Sequence, residues 1–198
     1  RIALRWQQAE TERKEMEIQK TEAELRNLRN QINPHFLLNT LNNIYALIAF
    51  DQERAQKAVL SLSALLRQML YGNQDNEVLL KDEQTFLANY IDLMKIRTAS
   101  NVTVEVNMQP PAASVKVAPF IFISLVENAF KHGISPTQPS YISVDISSDA
   151  DKIICVIKNT NFPKSANDKS GHGIGLQQVE HRLRLSYADH YEWIKGVD

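Results

Sequence analysis

Residues 31–44 read Gln-Ile-Asn-Pro-His-Phe-Leu-Leu-Asn-Thr-Leu-Asn-Asn-Ile, a helical pattern in which a proline precedes a histidine. An interior proline removes one amide donor and crowds the carbonyl four residues earlier, so we expect a kink at Pro34. His35 follows directly, and Gln31 and Asn39 lie one turn away on the same face of the predicted helix. This arrangement predicts a reactive imidazole displayed at a helix bend. A polar patch at an ordinary bend is the simpler alternative.

Two later stretches decide between these interpretations. Residues 117–133 read Val-Ala-Pro-Phe-Ile-Phe-Ile-Ser-Leu-Val-Glu-Asn-Ala-Phe-Lys-His-Gly, and residues 171–176 read Gly-His-Gly-Ile-Gly-Leu. With the Asn-Pro-His-Phe-Leu block, they place three motifs in the order in which the LytS-type sensor histidine kinases carry them. From about residue 25 to residue 190 the chain resembles that family. Each motif alone has many accidental matches, whereas three in order are highly specific.

A fourth and weaker element is the predicted helix that starts near Leu80. It is similar to the family's Leu-x-x-Glu…Tyr…Arg helix through Glu83, Tyr90 and Arg97.

Composition places the chain among globular proteins. Of its 198 residues, 43% are hydrophobic and 23% charged, which is ordinary for a packed domain. A net charge of -1 argues against a nucleic-acid partner, which would require an excess of clustered Lys and Arg. The single cysteine, Cys155, excludes an internal disulfide. We expect a reduced, buried thiol in the cytoplasm.

The sequence contains no apolar run long enough to cross a bilayer. It starts at Arg1, without a methionine, inside a charged helical pattern. We therefore expect a cytoplasmic fragment, whose full-length protein contacts the bacterial inner membrane only through parts absent from this chain.

The hydrophobic periodicity predicts an α+β protein with three segments. Residues 1–24 are expected to form a signalling helix or coiled coil. Residues 25–75 should form a helical hairpin, which becomes a four-helix bundle on dimerisation and carries the histidine. Residues 76–198 are expected to form a two-layer α/β sandwich, and the resemblance implies an ATP-binding domain that lacks its C-terminal end.

Within that domain, the pattern alternates between helices and strands. We expect helices from Lys81 to Arg97, from Pro119 to His132 with Gly133 as C-terminal cap, and from Gly173 to Tyr187. Strands are expected at residues 102–108, 141–147 and 152–158, and a polar loop at residues 159–172.

The Val126–Gly133 box places Asn128, Lys131 and His132 within about one helical turn. Magnesium prefers oxygen ligands, with one or two from protein and the rest from water and phosphate. The amide oxygen of Asn128 is such a ligand, and Lys131 can offset phosphate charge. The resemblance assigns the magnesium ligand of the family to Asn128. A polar helix face that simply meets water is the alternative.

Gly171, Gly173 and Gly175, followed by Leu176, let a backbone approach phosphate closely at the start of a helix. The spacing is not that of a dinucleotide fingerprint. With the other motifs present, it predicts that ATP phosphates bind here, under a loop that acts as a lid.

Two departures from the wider superfamily are visible. Where relatives often place an aspartate that reads adenine, this chain has Lys158 and Asn159, so Asn159 or a held water must accept from the adenine amino group. Gyrase-like ATPases activate water with a glutamate at the position of Ser124. Glu127 is adjacent to Asn128 but rotated about 100° around the helix. This favours phosphoryl transfer over hydrolysis.

A phosphoryl acceptor must be a neutral imidazole, and this form dominates at neutral pH for an ordinary histidine. Phe36 occupies the position where many histidine kinases have an acidic residue, so Asn39 and Gln31 are expected to orient the ring or contact the phosphoryl group. The rival acceptors are His132, His172, His181 and His190.

The resemblance implies the kinase core of a two-component sensor, which phosphorylates His35 from ATP and Mg²⁺ and passes the group to a response regulator receiver domain. We expect a homodimer. The alternatives are a dimerisation and interaction module with a decayed ATP site, and a serine kinase or ATPase of the same superfamily. Acid-labile label from ATP that depends on His35 would separate the first reading from both.

Overall fold

The computed structural model describes residues 10, 13–16, 34–71, 77–149, 151–162, 174–188 and 190–197. Its helices and two sheets make the protein α+β, as the sequence predicts. No helix among the described residues is long and apolar enough to cross a bilayer. Most of the predicted signalling helix lies outside the described residues. Within it, Lys14 Nζ lies 3.6 Å from Glu10 Oε1, as their i,i+4 spacing predicts.

Helices and strands alternate after an initial pair of helices. In chain order the elements are α1 (Pro34–Ile48), α2 (Gln52–Tyr71), β1 (Val78–Leu79), α3 (Leu80–Ile96), β2 (Val102–Met108), β3 (Lys116–Val117), α4 (Ile123–His132), β4 (Ser140–Ser148), β5 (Ile153–Asn159) and α5 (Ile174–Tyr187).

The first two helices pack against each other, and α2 also packs against α3. Asp51 starts α2, because its Oδ1 accepts from the Arg54 N–H at 3.0 Å and its carbonyl accepts from the Ala55 N–H at 3.0 Å. The first bond satisfies an amide donor that a helix N-terminus otherwise leaves unpaired, and the second is the first backbone bond of the helix itself. The buried side chains of α2 recur every three or four residues: Ala55, Ala58, Leu62, Leu65 and Met69.

The kink predicted at Pro34 lies at the edge of what the structure describes. Residues 17–33 are outside the described residues, so the kink stays a prediction.

The larger sheet has the order β2–β4–β5. Strand β4 runs parallel to β2 and antiparallel to β5. Parallel neighbours cannot be joined by a tight turn, and the chain between β2 and β4 accordingly contains β3 and α4. On β4, Ile142, Val144 and Ile146 are buried in one core cluster with residues of α3 and α4. The sheet therefore forms one wall of the core against which α4 is held.

A second, smaller sheet was not predicted. Strand β1 pairs antiparallel with β3, with Val78 opposite Val117. Strands of two residues are too short to show a hydrophobic alternation, so local sequence carries no signal for them.

The predicted start of α4 at Pro119 is wrong, because the helix begins at Ile123. Residues 119–122 form turns, and Phe120 has φ 55°, in the left-handed region that interrupts a right-handed helix. At the other end Gly133 is the C-cap, as predicted, but its φ of −92° is not the left-handed conformation of a usual glycine cap.

Candidate active site

Helix α4 presents one buried and one polar face. Val126 and Ala129 are buried in the core, whereas Asn128 and His132 are half-buried and Lys131 is exposed. The structure therefore places the three residues of α4 that are predicted to bind the nucleotide at the rim of the core, within one helical turn. A side-chain amide, a cation and an imidazole therefore lie close together there.

The C-terminal end of α4 lies against the end of β5. A Cβ atom added to Gly133 would lie 2.6 Å from the Cβ of Asn159 and 2.6 Å from the carbonyl oxygen of Ala129. Real Cβ atoms do not approach that closely, so close packing requires glycine here. This contact places Asn159 beside the helix that carries Asn128.

The side chain of Asn159 is held by a local bond. Its Nδ2 donates to the carbonyl oxygen of Thr160 at 2.8 Å. This bond does not use Oδ1, the atom that could accept from an adenine amino group. Thr160 in turn continues the sheet, because its N–H donates to Tyr141 O at 2.9 Å. Lys158, the departure noted in the sequence, is exposed.

The glycine-rich box is only partly described. Gly171, His172 and Gly173 lie outside the described residues, whereas Gly175 falls in the first turn of α5 and Leu176 is half-buried. Helix α5 contacts α4. The helix that follows the glycines therefore adjoins α4, which carries Asn128 and in turn contacts β5.

A surface groove elsewhere contains none of the predicted site residues. It is lined by Glu180, Arg184, Ala188, Tyr191 and Trp193.

Residues 118–122, which we call the anchor turn, are tied to α3 and α5 by side chains. The Phe120 N–H donates to Glu83 Oε2 at 3.0 Å. Arg182 donates to the carbonyl oxygens of Phe120 at 3.2 Å and Pro119 at 3.0 Å. The Ala118 N–H donates to the Tyr187 hydroxyl at 2.7 Å. Because α4 starts directly after this turn, these bonds set where the helix begins.

Glu83 is fully buried. Burial raises the pKa of its carboxyl to about 7, against the opposing effects of the Phe120 N–H and the Arg182 guanidinium. Among the described residues, Glu83 Oε1 has no hydrogen-bond partner. The anchor turn is thus held by an acid that loses its proton near neutral pH.

Helix α4 is also tied to α3 by a tyrosine. Tyr90 is 3% exposed, and its hydroxyl lies 3.3 Å from Glu127 Oε1. Burial raises the pKa of Glu127, and the bond from Tyr90 and the charge of Lys131 oppose that rise. Burial raises the pKa of Tyr90 as well, so its hydroxyl keeps a proton to donate.

Helix α1, which carries His35, is held against the core through Phe36 and Thr40. Phe36 is buried and stacks on Tyr90, with ring centroids 4.9 Å apart. Thr40 is buried one turn on and donates to the Phe36 carbonyl at 2.8 Å. Asn39 is half-buried. The backbone at position 35 is helical, but the side chain of His35 and the whole of Gln31 lie outside the described part of the chain.

Comparison with known proteins identifies the family. A histidine kinase family model matches residues 23–102. The sensor protein LytS of Streptococcus agalactiae serotype V is 30% identical over 177 residues, which cover 83% of this chain and 30% of the relative. The sensor histidine kinase YpdA of Escherichia coli is 31% identical over 182 residues, covering 84% of this chain and 31% of the relative. This chain belongs to the LytS-type sensor histidine kinase family.

A third relative is named as both a kinase and a phosphatase. The sensor histidine kinase/phosphatase LytS of Staphylococcus aureus is 30% identical over 160 residues, covering 80% of this chain and 27% of the relative. The chain thus spans about a third or less of the length of these relatives.

Histidine kinases use ATP, usually with Mg²⁺, and the residues present fit this ion. No group of three His, Cys, Asp or Glu suited to a metal occurs among the described residues. Magnesium on a nucleotide needs only one or two protein oxygens, since phosphate and water supply the others. The half-buried amide of Asn128 meets that requirement.

Motif reasoning identified Glu83 and Tyr90 only as family positions. Their contacts with Phe120 and Glu127 span 37 residues each. Arg182 and Tyr187 carried no signal at all. A charged side chain at a core position of a predicted amphipathic helix, as at Glu83, is the one local sign that could have pointed to a buried polar anchor.

Glu83 predicts a specific pH dependence of stability. A folded-state pKa raised from 4.5 to about 7 means that the folded protein holds this proton more tightly than the unfolded chain. The resulting stability is fully present below the ordinary pKa and is lost as pH rises through about 7. We expect the free energy of unfolding of the parent to fall by up to about 3 kcal/mol between pH 5 and pH 8 because of this residue, and Glu83→Gln to lack that fall.

Urea unfolding of the parent and of Glu83→Gln across that range measures the difference. Glu105→Gln, an exposed glutamate on β2, is the matched control and should follow the parent. Parallel curves for the parent and Glu83→Gln would show that Glu83 does not titrate as described.

Proposed function

We propose that this chain is the kinase core of a two-component sensor. It transfers the γ-phosphoryl group of ATP to His35 and then to an aspartate of a response regulator receiver domain. Residues 1–24 serve as the signalling helix, residues 25–75 as the dimerisation and phosphotransfer hairpin, and residues 76–198 as the ATP-binding domain.

The observation that carries this proposal is the contact between α4 and β5. Gly133 allows Asn159 to lie against the end of the helix that bears Asn128. A nucleotide in this corner would have the amide oxygen of Asn128 for its magnesium ion and Lys131 for phosphate charge. Asn159 Oδ1 would read the adenine amino group. Gly171, Gly173 and Gly175 would close the phosphate side, followed by Leu176, and His132 would line the polar face of α4.

The transfer itself requires little covalent chemistry from the protein. The lone pair of a neutral His35 nitrogen forms a bond to the γ-phosphorus as the bond to the bridging oxygen breaks, and ADP leaves. The proton on the other ring nitrogen passes to water. Asn39 and Gln31 would orient the ring. Magnesium, when bound, neutralises charge on the phosphates, so catalysis comes mainly from positioning and electrostatics.

Incubation with γ-labelled ATP and Mg²⁺ tests the proposal. We expect label on the protein that is lost in acid and stable in base, as phosphohistidine is. Acid-stable label would instead indicate a serine kinase. A protein that takes no label and does not bind a fluorescent ATP analogue would be an interaction module with a decayed ATP site, consistent with Lys158 in place of the adenine-reading aspartate.

Helix α1 presents an apolar stripe that suits the proposed homodimer. Leu38, Leu41, Tyr45 and Ile48 are between 52% and 80% exposed. Their spacing of three and four residues is that of a helix–helix seam. We propose that a second copy covers this stripe, so that α1 and α2 of two chains form a four-helix bundle.

Two charges placed in the stripe should break that dimer. We expect Leu41→Glu with Tyr45→Glu to raise the dimer dissociation constant at least about 100-fold, because burying each large apolar side chain contributes about 1.5–3 kcal/mol. Sedimentation equilibrium measures the change. Ala46→Glu, exposed on another face of α1, is the control and should remain dimeric. A double variant that stays dimeric would place the interface elsewhere.

A further inference from the structure

We propose that Tyr90 is a positioning residue. It sets the orientation of α1, which carries the phosphoacceptor His35, relative to α4, which carries Asn128. The proposal rests on the proposed function, since it assigns Tyr90 a role in the transfer to His35. Tyr90 lies on α3 and contacts Phe36 of α1 and Glu127 of α4. Each of these is adjacent in sequence to a predicted reacting or ligand-binding residue.

The first contact fixes the rotation of α1 about its axis. The Phe36 ring stacks on Tyr90 at a centroid distance of 4.9 Å and an interplanar angle of 29°. Successive residues of a helix are about 100° apart, so the direction in which Phe36 packs determines the direction of position 35. Thr40, buried one turn further, supports the same orientation.

The second contact joins Tyr90 to α4. The Tyr90 hydroxyl donates to Glu127 Oε1 across 3.3 Å, and Glu127 directly precedes Asn128. Tyr90 is 3% exposed, Phe36 is 6% exposed and Glu127 is half-buried, so the ring contact is shielded from water more fully than the bond to Glu127. The distance exceeds the usual hydroxyl–carboxylate separation of about 2.6 Å, so the effect of losing this bond should be moderate.

The two contacts together form a continuous path from α1 through one buried ring to α4. A rotation of α1 would displace Phe36, then Tyr90, then the bond to Glu127. Phosphoryl transfer is sensitive to displacements of about 1 Å, so a residue that holds both helices affects the transfer rate more than nucleotide affinity.

Kinetics of autophosphorylation separate positioning from binding. We expect Tyr90→Phe, which keeps the ring and loses the hydroxyl, to lower kcat about 10-fold while the KM for ATP stays within about twofold. Tyr141→Phe is the matched control, because the Tyr141 hydroxyl also donates to a glutamate, Glu105, at 2.9 Å on the exposed sheet face. It should behave like the parent.

A double-mutant cycle tests whether the hydroxyl acts through Glu127. Glu127→Met should also lower kcat about 10-fold, and Tyr90→Phe with Glu127→Met should cost no more than either change alone. Multiplicative losses, a changed KM with unchanged kcat, or an unchanged kcat would overturn the proposal. A raised kcat would overturn it too, by showing that the contact holds a resting state.

Hydrogen exchange tests the path without any kinase activity. In Glu127→Met, we expect amides of α1 near Phe36 to exchange at least about threefold faster, because Tyr90 loses the bond that orients it. Unchanged protection there overturns the proposal even if the protein is a kinase. A parent protein without phosphohistidine contradicts the proposed function instead, and in that case the exchange measurement still decides whether α4 is coupled to α1.

Discussion

Autophosphorylation is expected to fall below about 1% of the parent rate when His35 is replaced by glutamine. Glutamine keeps a polar side chain of similar reach, but its amide nitrogen is not a nucleophile because its lone pair is delocalised. Even if the rest of the site still positions ATP, the variant has no nucleophile to accept the phosphoryl group. The measurement is incorporation of label from γ-labelled ATP, with acid and base lability as the chemical identification.

The nucleotide affinity of His35→Gln should match that of the parent, which shows that the variant is folded. His181→Gln and His190→Gln are suitable controls, because both histidines are exposed and belong to the rival acceptors. Each should keep the parent rate. If label persists in His35→Gln and disappears in one of the others, the phosphoacceptor has been assigned wrongly.

Replacing Asn128 with alanine should cost at least about 100-fold in autophosphorylation rate. The change removes the one side-chain oxygen that we assign to magnesium, and charge neutralisation at the phosphates is a principal term in phosphoryl transfer. Titration with a fluorescent ATP analogue should show the cause. Magnesium should tighten binding to the parent at least about 10-fold and have little effect on Asn128→Ala.

Asn107→Ala controls for the loss of an asparagine. Asn107 is exposed on β2 and its amide donates to Asp145 Oδ1 at 3.3 Å, away from α4. It should leave both the rate and the magnesium dependence unchanged. If magnesium still tightens binding to Asn128→Ala, Asn128 is not the magnesium ligand and another oxygen must bind the ion.

Most elements could be predicted because their signals are local. The strand at residues 102–108 and the helix ending at Tyr187 match the pattern, and the other two predicted strands differ from β4 and β5 by one residue at each end. Alternation and helical periodicity report which face of an element is buried, without knowledge of its neighbours. The predicted start of α4 was wrong because it depends on residues distant in sequence. Pro119 suits a first helical turn, but residues of the anchor turn bond to Glu83 and Arg182 instead of forming helix.

The candidate site divides in the same way. The residue types and motif order pointed to Asn128, Asn159 and the glycines, and the structure brings the first two into neighbouring elements. His35 and Gly171 stay predictions, because their side chains or backbone lie outside the described residues. Tyr90 was recognised only as a family position, because its contacts are with residues of two other helices.

The amino-acid sequence by itself determined the family, through three short motifs in order, and the positions of most helices and strands, through their periodicity. Only the tertiary structure decided where α4 begins, that β2 lies parallel to β4, and that Phe36, Tyr90 and Glu127 form one path. The physical reason is that motifs and periodicities are properties of neighbouring residues. A buried hydrogen bond or a ring contact between distant residues depends on how the whole core packs.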